Sequence, residues 1–401
     1  MNVPKLRFKE FNDNYLRLKY KDVLKIKSGK DQKQVECENG IYPILGTGGQ
    51  IGKTNSFLYD KPSVLIGRKG TINKPQYMET PFWTVDTLFY SHIYEPNIPK
   101  YLFYSFQNVN WRKYDESTGV PSLISSTIEG VDCNIPSKEE QLKVAYFLSL
   151  LDKKIELQSK KIEDLKLFKK GLLIKEFNNK KCSNKLKECF DFGKAGGTPK
   201  STNKDYYNGY IPFLSISDMT TQGKYIYYTD KSITEAGLNN STAWLVPKNS
   251  IIISMYASYG LVSINKIDLT TSQAMFNMVI NKNYVVEYIY YYLYYLYISN
   301  FYNSIVSTGT QSNLNAGQIK LLDIYIPCYN EQKRIYEQFS KIDFKINLEQ
   351  KKINELLYLK KGLMQNTFFI LSFFPKFQFP SEVCKYIVLY IQLTLLSKII
   401  Q

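Results

Sequence analysis

Residues 135–177 read IPSKEEQLKVAYFLSLLDKKIELQSKKIEDLKLFKKGLLIKEF, and residues 326–368 read IPCYNEQKRIYEQFSKIDFKINLEQKKINELLYLKKGLMQNTF. The two stretches align without gaps at an offset of 191 residues. Pro136 matches Pro327, Glu140-Gln141 matches Glu331-Gln332, and Asp152 matches Asp343. Lys160-Lys161-Ile162 matches Lys351-Lys352-Ile353, and Lys169-Lys170-Gly171-Leu172 matches Lys360-Lys361-Gly362-Leu363. The likeness reaches upstream, where Ser117-Thr118-Gly119 and Leu123 correspond to Ser307-Thr308-Gly309 and Leu314 with one residue inserted. A repeat at one fixed period organises the whole chain. It divides into two halves, each a globular part followed by the repeated stretch.

The repeated stretch has helical character. Leu151, Ile155, Ile162, Leu165 and Leu172 recur at spacings of three, four or seven, and so do Ile342, Ile346, Ile353, Leu356 and Leu363. Lys and Glu fill the positions between. Such a stripe suits pairing with another helix. Pro136 and Pro327 stand just before each helix, and Gly171 and Gly362 fall near the ends. About 38 residues at 1.5 Å each give a rod of roughly 55 Å. Two such stripes in one chain can bury each other as an antiparallel coiled coil. Two ordinary bundle helices in one core are the alternative.

The globular parts read as mixed α/β. Short runs such as Pro62-Ser63-Val64-Leu65-Ile66-Gly67 and Ser250-Ile251-Ile252-Ile253-Ser254 are expected to be alternating strands between Gly, Pro, Asn and Asp clusters. Each part ends in an aromatic-rich segment, 99–114 and 284–302, the second with Tyr288, Tyr291, Tyr292 and Tyr295 at helical spacing. These fit core helices; a stacking platform for bases is the alternative. The expected division is therefore a globular part over 1–134, a helical spacer over 135–180, a second globular part over 181–325, a second spacer over 326–369 and an atypical tail over 370–401. The fold class is α/β (α+β).

Composition narrows the function. The 52 Lys and Arg against 36 acids give +16, which suits a polyanion such as nucleic acid or an anionic membrane surface, or simply reflects a lysine-rich proteome. Residues 138–176 carry 10 basic and 7 acidic residues, and residues 329–368 carry 8 and 5, so positive charge also lies on both helices. No segment has the roughly 18 clean apolar residues of a spanning helix. Six cysteines without a C-x-x-C pair, and no signal peptide at the start, lead us to expect free thiols in a reducing cytoplasm. His92 is the only histidine, in the strand-like run Phe89-Tyr90-Ser91-His92-Ile93-Tyr94, and a structural role is expected for it.

Signals of catalysis fail on inspection. Gly46-Thr47-Gly48-Gly49-Gln50-Ile51-Gly52-Lys53-Thr54 looks like a phosphate loop, but its spacing is wrong and no helical pattern follows Thr54. It also matches a methyl-donor glycine loop only weakly. The Asn/Asp-Pro-Pro-aromatic motif of amino-methyltransferases is missing, as is a nuclease cluster of Asp, Glu and Lys.

Two α/β parts, each followed by a near-identical Lys/Glu-rich helix, resemble the specificity subunits of Type I restriction-modification systems. The resemblance covers residues 1–368. It rests on the two Ile-Pro-(x)3-Glu-Gln starts, the two Lys-Lys-Gly-Leu ends and the 191-residue repeat. Pro4-Lys5-Leu6-Arg7-Phe8, Ile66-Gly67-Arg68-Lys69-Gly70-Thr71 and Gly196-Gly197-Thr198-Pro199 add to it. The resemblance implies a non-catalytic subunit that reads a bipartite site on double-stranded DNA, one globular part per half-site. The paired helices would set the spacing and dock two modification subunits and the restriction subunits. S-adenosylmethionine, ATP and Mg would be held by those partners, with no cofactor, metal or membrane bound by this chain. A coiled-coil adaptor with only non-specific DNA binding is the alternative.

Candidate DNA contacts in the first part are Lys53, Gly67, Arg68, Lys69 and Arg112, with Arg68 reading a base edge. Residues 181–325 contain no arginine, so the second part is expected to read by other chemistry. Its candidates are Thr198, Lys200, Ser215, Ser217, Tyr256, Tyr259 and Gln273. In the tail, Pro375-Lys376-Phe377-Gln378-Phe379-Pro380 echoes Pro4-Lys5-Leu6-Arg7-Phe8 and suggests the remnant of a third repeat or a helix that packs on a partner.

Overall fold

The computed structural model describes residues 4–178, 180–182, 184–256, 258–306 and 313–368. Ser307-Thr308-Gly309 and the tail over 370–401 lie outside the described residues. The chain forms two compact units: one runs to Gln158 and takes in the described residues from Lys352 on, the other is Ser159–Lys351. Each unit therefore contains part of both long helices.

The first unit holds a four-stranded sheet in the order Leu24–Lys27, Leu88–Ile93, Ser63–Gly67, Gln76–Met78, with antiparallel neighbours throughout. A smaller sheet joins the hairpin Tyr42–Gly46 and Gly49–Thr54 to the short strand Trp83–Thr84, the last pairing parallel. Leu16–Lys19 pairs with Asp132–Ile135, which brings the two ends of the globular part together. The second unit repeats this plan. Its five-stranded sheet runs Phe190–Ala195, Met275–Ile280, Ile251–Ser254, Val262–Asn265, Tyr225–Ile226. Its smaller sheet pairs Tyr207–Leu214 with Lys231–Ile233 and, in parallel, with Thr270–Thr271.

The central strands correct one expectation. Every residue of Ser63–Gly67 and Ile251–Ser254 is buried, so neither strand alternates between core and solvent. The period of two survives, but both faces are covered. Val64 and Ile66 join the core under the aromatic helix Pro99–Asn108, whereas Leu65 joins Leu45, Phe82 and Leu88 on the other face. Ile251 and Ile253 likewise face the aromatic helix Val286–Ile298, and Ile252 faces Leu214 and Leu269. The aromatic segments are core helices: Tyr101, Tyr104, Tyr288 and Tyr291 are at most 1% exposed, so they offer no platform for bases.

The long helices are Lys138–Phe177 and Tyr329–Thr367, 40 and 39 residues. At 1.5 Å per residue each spans about 60 Å. Gly171 and Gly362 do not end them, because neither takes the positive φ of a helix-stopping glycine. The Glu-Gln motif at each start has a physical reason. Gln141 donates to the Pro136 carbonyl at 3.1 Å and accepts from the Ile98 backbone N–H at 2.9 Å. Gln332 does the same with Pro327 at 2.9 Å and Val285 at 3.0 Å. Ile98 and Val285 are the N-caps of the two aromatic helices, so one amide ties each long helix to an orphan donor of its aromatic helix.

Pairing of the long helices is antiparallel. In the second unit Lys161 meets Glu349 at 2.8 Å, Lys169 meets Asp343 at 2.5 Å and Glu176 meets Arg334 at 3.9 Å, so partner numbers fall as the first helix advances. In the first unit Asp152 meets Lys360 at 2.5 Å. Ile162, Ile353 and Leu363 are buried, and Leu151, Ile155, Leu165, Leu172, Ile342, Ile346 and Leu356 are half-buried. Stronger burial falls on residues the stripe did not include. Leu173 and Phe177 enter the second unit's core beside Ile335 and Phe339. At the same offset of 191, Met364 and Phe368 enter the first unit's core beside Val144 and Leu148.

Candidate nucleic-acid interface

In the first unit the buried strand Ser63–Gly67 delivers Arg68 and Lys69 to the surface. A Cβ on Gly67 would sit 2.3 Å from the Thr71 carbonyl oxygen, and Gly70 has φ +95°, so the tight turn needs both glycines. The backbone is tied on two sides. The Arg68 N–H donates to Thr87 at 2.8 Å, the Arg68 carbonyl accepts from Leu123 at 2.9 Å, and the Gly70 N–H donates to Pro121 at 2.8 Å. Both side chains remain exposed. Arg68 makes one long contact, Nη1 to the Asp86 carbonyl at 3.4 Å, so most of its donors face outward. A rigid backbone carrying exposed donors is the arrangement base-edge readout requires.

The glycine-rich stretch is the neighbouring hairpin. Gly46 pairs with Gly49, and Gly49 takes φ +116° at the turn, so these glycines serve a hairpin tip. Gln76 Nε2 fixes that tip through the carbonyls of Gly46 at 2.8 Å and Thr47 at 3.3 Å. Thr47 then lies beside the Gly70 turn. Lys53, on the same hairpin, lines a depression with Glu36 and Glu38, acids that disfavour a phosphate there. Arg112 is exposed on the turn Trp111–Tyr114, ahead of Asp115, which gathers the Ser117–Ser122 loop. The N–H of Ser122, then Ser117, holds the Asp115 carboxyl below its usual range.

The second unit has the same site with different side chains. The Met255 N–H donates to Ala274 at 2.8 Å and its carbonyl accepts from Leu314 at 2.9 Å, so Met255 stands where Arg68 stands. Met255 is 5% exposed and cannot read anything, and the next residue, Tyr256, is 42% exposed. A further equivalence places the Gly-Gly-Thr-Pro stretch. The Gly197 N–H donates to Thr271 at 2.9 Å as the Lys30 N–H donates to Thr84 at 2.9 Å. A Cβ on Gly196 would lie 2.2 Å from Thr271 Oγ1, and one on Gly29 would lie 2.0 Å from the Val85 carbonyl oxygen. Thr198 is then exposed and hydrogen-bonded through its hydroxyl to Gln273, and Lys200 is exposed nearby in sequence.

Two candidates of the second unit have structural employment. Ser215 caps the helix Ile216–Gln222: its Oγ accepts from the Asp218 N–H at 3.3 Å while Asp218 accepts the Ser215 N–H at 2.8 Å. Tyr259 is half-buried and donates its hydroxyl to Asn303 at 2.8 Å. Ser217 stays exposed, with its Oγ 2.7 Å from that of Ser215. The first site is thus cationic around Arg68 and Lys69, and the second is mainly uncharged and polar around Thr198, Gln273 and Tyr256, with Lys200 as its candidate cation.

Sequence reasoning missed Thr47, Gln76 and Asp86. A signal existed: Thr84-Val85-Asp86-Thr87 and Thr271-Ser272-Gln273-Ala274 each precede the last long strand of their sheet and are equivalent. His92 Nδ1 lies 2.9 Å from the Tyr59 hydroxyl, inside an aromatic group with Tyr90 and Tyr94. The five described cysteines are free, and burial pushes the Cys133 and Cys189 thiols up to about 12. Among the described residues no group of three or more His, Cys, Asp or Glu could hold a metal ion, and no helix is long and apolar enough to cross a membrane.

Comparison with known proteins agrees with this geometry. A family model described as the Type I restriction modification DNA specificity domain matches residues 12–167 and again 179–358. The chain is 31% identical over 176 residues to the Type I restriction enzyme MjaIX specificity subunit of Methanocaldococcus jannaschii, covering 43% of this chain and 40% of that one. It is 28% identical over 178 residues to the HindI specificity subunit of Haemophilus influenzae, covering 43% and 38%. These matches thus span about two fifths of the length of those curated relatives. Among solved structures, the S subunit of a Type-I restriction-modification system from M. genitalium superposes with a TM-score of 0.57 at 17% identity, over 92% of this chain and 100% of that one. A chain from a structure on complex assembly and conformational transition of the type I R-M system gives 0.56 at 13% identity, over 89% and 98%. These two likenesses show the fold: tandem α/β parts with paired long helices. Matched twice and over more than half its length, the chain belongs to the family of Type I restriction modification DNA specificity domains.

Proposed function

We propose that this chain is the DNA-recognition subunit of a Type I restriction-modification complex and reads a bipartite site, one half-site per globular part. One observation carries the reading: both units present a surface loop at the same topological position, the end of the buried central strand, with unlike side chains on like backbones. Like scaffolds with unlike readers suit two different half-sites. In this reading Arg68 and Lys69 contact the first half-site, and Thr198, Lys200, Ser217, Tyr256 and Gln273 the second. Ser215 and Tyr259 are engaged within the second unit, Arg112 contributes at most to phosphate attraction, and Lys53, beside Glu36 and Glu38, stays out of it.

The chain itself catalyses nothing in this account. Modification and restriction subunits supply S-adenosylmethionine, ATP and Mg chemistry, and the complex works in the cytoplasm. Exposed apolar residues along the helices, Leu157, Leu167, Phe168, Phe344 and Leu348, support a docking role for the rod. The test is a binding titration of the chain with its modification subunits on duplex DNA. Affinity should fall steeply with salt, and a motif-bearing duplex should outcompete a scrambled one. Equal affinity for both duplexes at every salt concentration would leave only an adaptor.

A further inference from the structure

Each unit contains the same cluster of three side chains, a tyrosine and a lysine gathered on one aspartate carboxylate. In the first, Tyr104 of the aromatic helix donates its hydroxyl to Asp152 at 2.7 Å, and Lys360 of the second long helix meets the other oxygen at 2.5 Å. In the second, Tyr291 of the aromatic helix donates to Asp343 at 2.6 Å, and Lys169 of the first long helix meets the other oxygen at 2.5 Å. Asp152 and Asp343 are repeat partners, as are Lys169 and Lys360, so the two long helices exchange roles between the clusters. Both lysines are shielded, 14% and 12% exposed, and each lies over the ring of its tyrosine. One carboxylate thereby joins three elements: the aromatic helix and both long helices.

The second cluster has a fourth member. Lys224 Nζ donates to the Tyr291 hydroxyl at 2.7 Å, lies 3.6 Å from Asp343, and sits over the rings of Tyr225, Tyr290 and Tyr291. Its side chain is 11% exposed. Lys224 follows Gly223, whose φ of +74° ends the helix Ile216–Gln222, the helix that Ser215 caps and whose first turn holds Ser217. The Gly223 carbonyl is held by Ser263 Oγ at 2.6 Å and the Lys224 carbonyl by the Ile264 N–H at 2.8 Å. A short, pinned connection thus runs from the second reading surface to the paired helices. In the first unit the route is the aromatic helix itself, which shares a core with Val64 and Ile66 below Arg68.

We propose that these are positioning clusters for DNA reading: Tyr104–Asp152–Lys360 seats the first reading loop on its helix pair, and Tyr291–Asp343–Lys169 with Lys224 seats the second reading surface. The inference rests on the DNA-recognition reading above. Burial pushes the Lys224 ammonium down to about 8, so this charge is held at a cost to folding. A buried cation retained at such a cost, on a segment leading to the reading surface, is explained by positioning rather than by stability.

The test uses the full-length chain with its modification subunits and duplexes carrying the motif methylated in the source genome. Single-base changes are placed in one half-site or the other, and the variants are Tyr104→Phe, Tyr291→Phe and Lys224→Met. Tyr291→Phe and Lys224→Met should each lower discrimination at one half-site by about fivefold, the worth of roughly one hydrogen bond, and leave the other within about twofold. Tyr104→Phe should do the reverse. Lys224→Met should do so without lowering the melting temperature, which a merely structural residue would not allow. Equal loss at both half-sites, or none at either, overturns the proposal. Wild-type protein that ignores all base changes refutes the DNA reading itself.

Discussion

Glu140 and Glu331 are repeat partners at the two helix starts, yet removing them should have very different consequences. Glu140 is 1% exposed and accepts Arg7 Nε at 2.8 Å, Arg7 Nη2 at 2.7 Å and the Tyr15 hydroxyl at 2.8 Å. Arg7 is itself only 10% exposed, so Glu140→Ala strands a guanidinium away from water. Breaking a buried pair by removing one partner costs about 3–5 kcal/mol. Glu331 meets Arg334 through an equally good fork, 2.7 and 2.6 Å, but the side chains are 36% and 54% exposed. Water replaces that fork readily, so Glu331→Ala should cost below about 1 kcal/mol. The assay is urea unfolding followed by fluorescence and far-UV dichroism. With a slope near ~3 kcal/mol/M, the midpoint should fall by about 1 M or more for Glu140→Ala and by a few tenths for Glu331→Ala. Equal shifts for the two variants would refute the reasoning, because identical chemistry would then count for more than burial.

Three further outcomes follow from the same geometry. Gln141→Leu and Gln332→Leu each leave a backbone donor of an aromatic helix, Ile98 or Val285, without its acceptor, and should cost about 1–3 kcal/mol each by urea midpoint. The Lys224 ammonium has a folded-state pKa near 8, below its unfolded value of roughly 10.5, so between these values the unfolded chain binds more protons. Stability should therefore rise with pH from 8 towards 10, by about 2 kcal/mol between pH 7.5 and 9.5, and Lys224→Met should flatten that rise in a pH series of midpoints. Arg68→Ala should weaken motif binding by about 1–3 kcal/mol in a fluorescence titration and relax the sequence at one base of one half-site.

The two-part architecture and the long paired helices were legible because they depend on a repeat and on apolar spacing, both of which survive in one sequence. What the spacing could not show was which residues enter the cores. Leu173, Phe177, Met364 and Phe368 lie beside the stripe and are buried by the globular parts, a tertiary effect that helical periodicity does not carry. The strands Ser63–Gly67 and Ile251–Ser254 were found, but their pattern was misjudged, because a strand covered on both faces shows an apolar run without alternation. The exposed turn that carries Arg68 was legible from glycines on either side of a basic pair. Asp86 was legible only through the likeness of Thr84–Thr87 to Thr271–Ala274, and Gln76 was not, since its place beside the loop comes from a side-chain hydrogen bond to a carbonyl 30 residues away. The capping role of Ser215 was not legible, because a helix cap and a base reader use the same residue type.

The central claim is that two unlike surfaces on one chain read two half-sites. Mapping methylated adenines across the source genome, with and without this gene, tests it most directly. The account predicts a motif of two specified blocks separated by an unspecified spacer, lost without the gene and altered in only one block by Arg68→Ala. A single uninterrupted motif, or a map that does not change when the gene is removed, would contradict it.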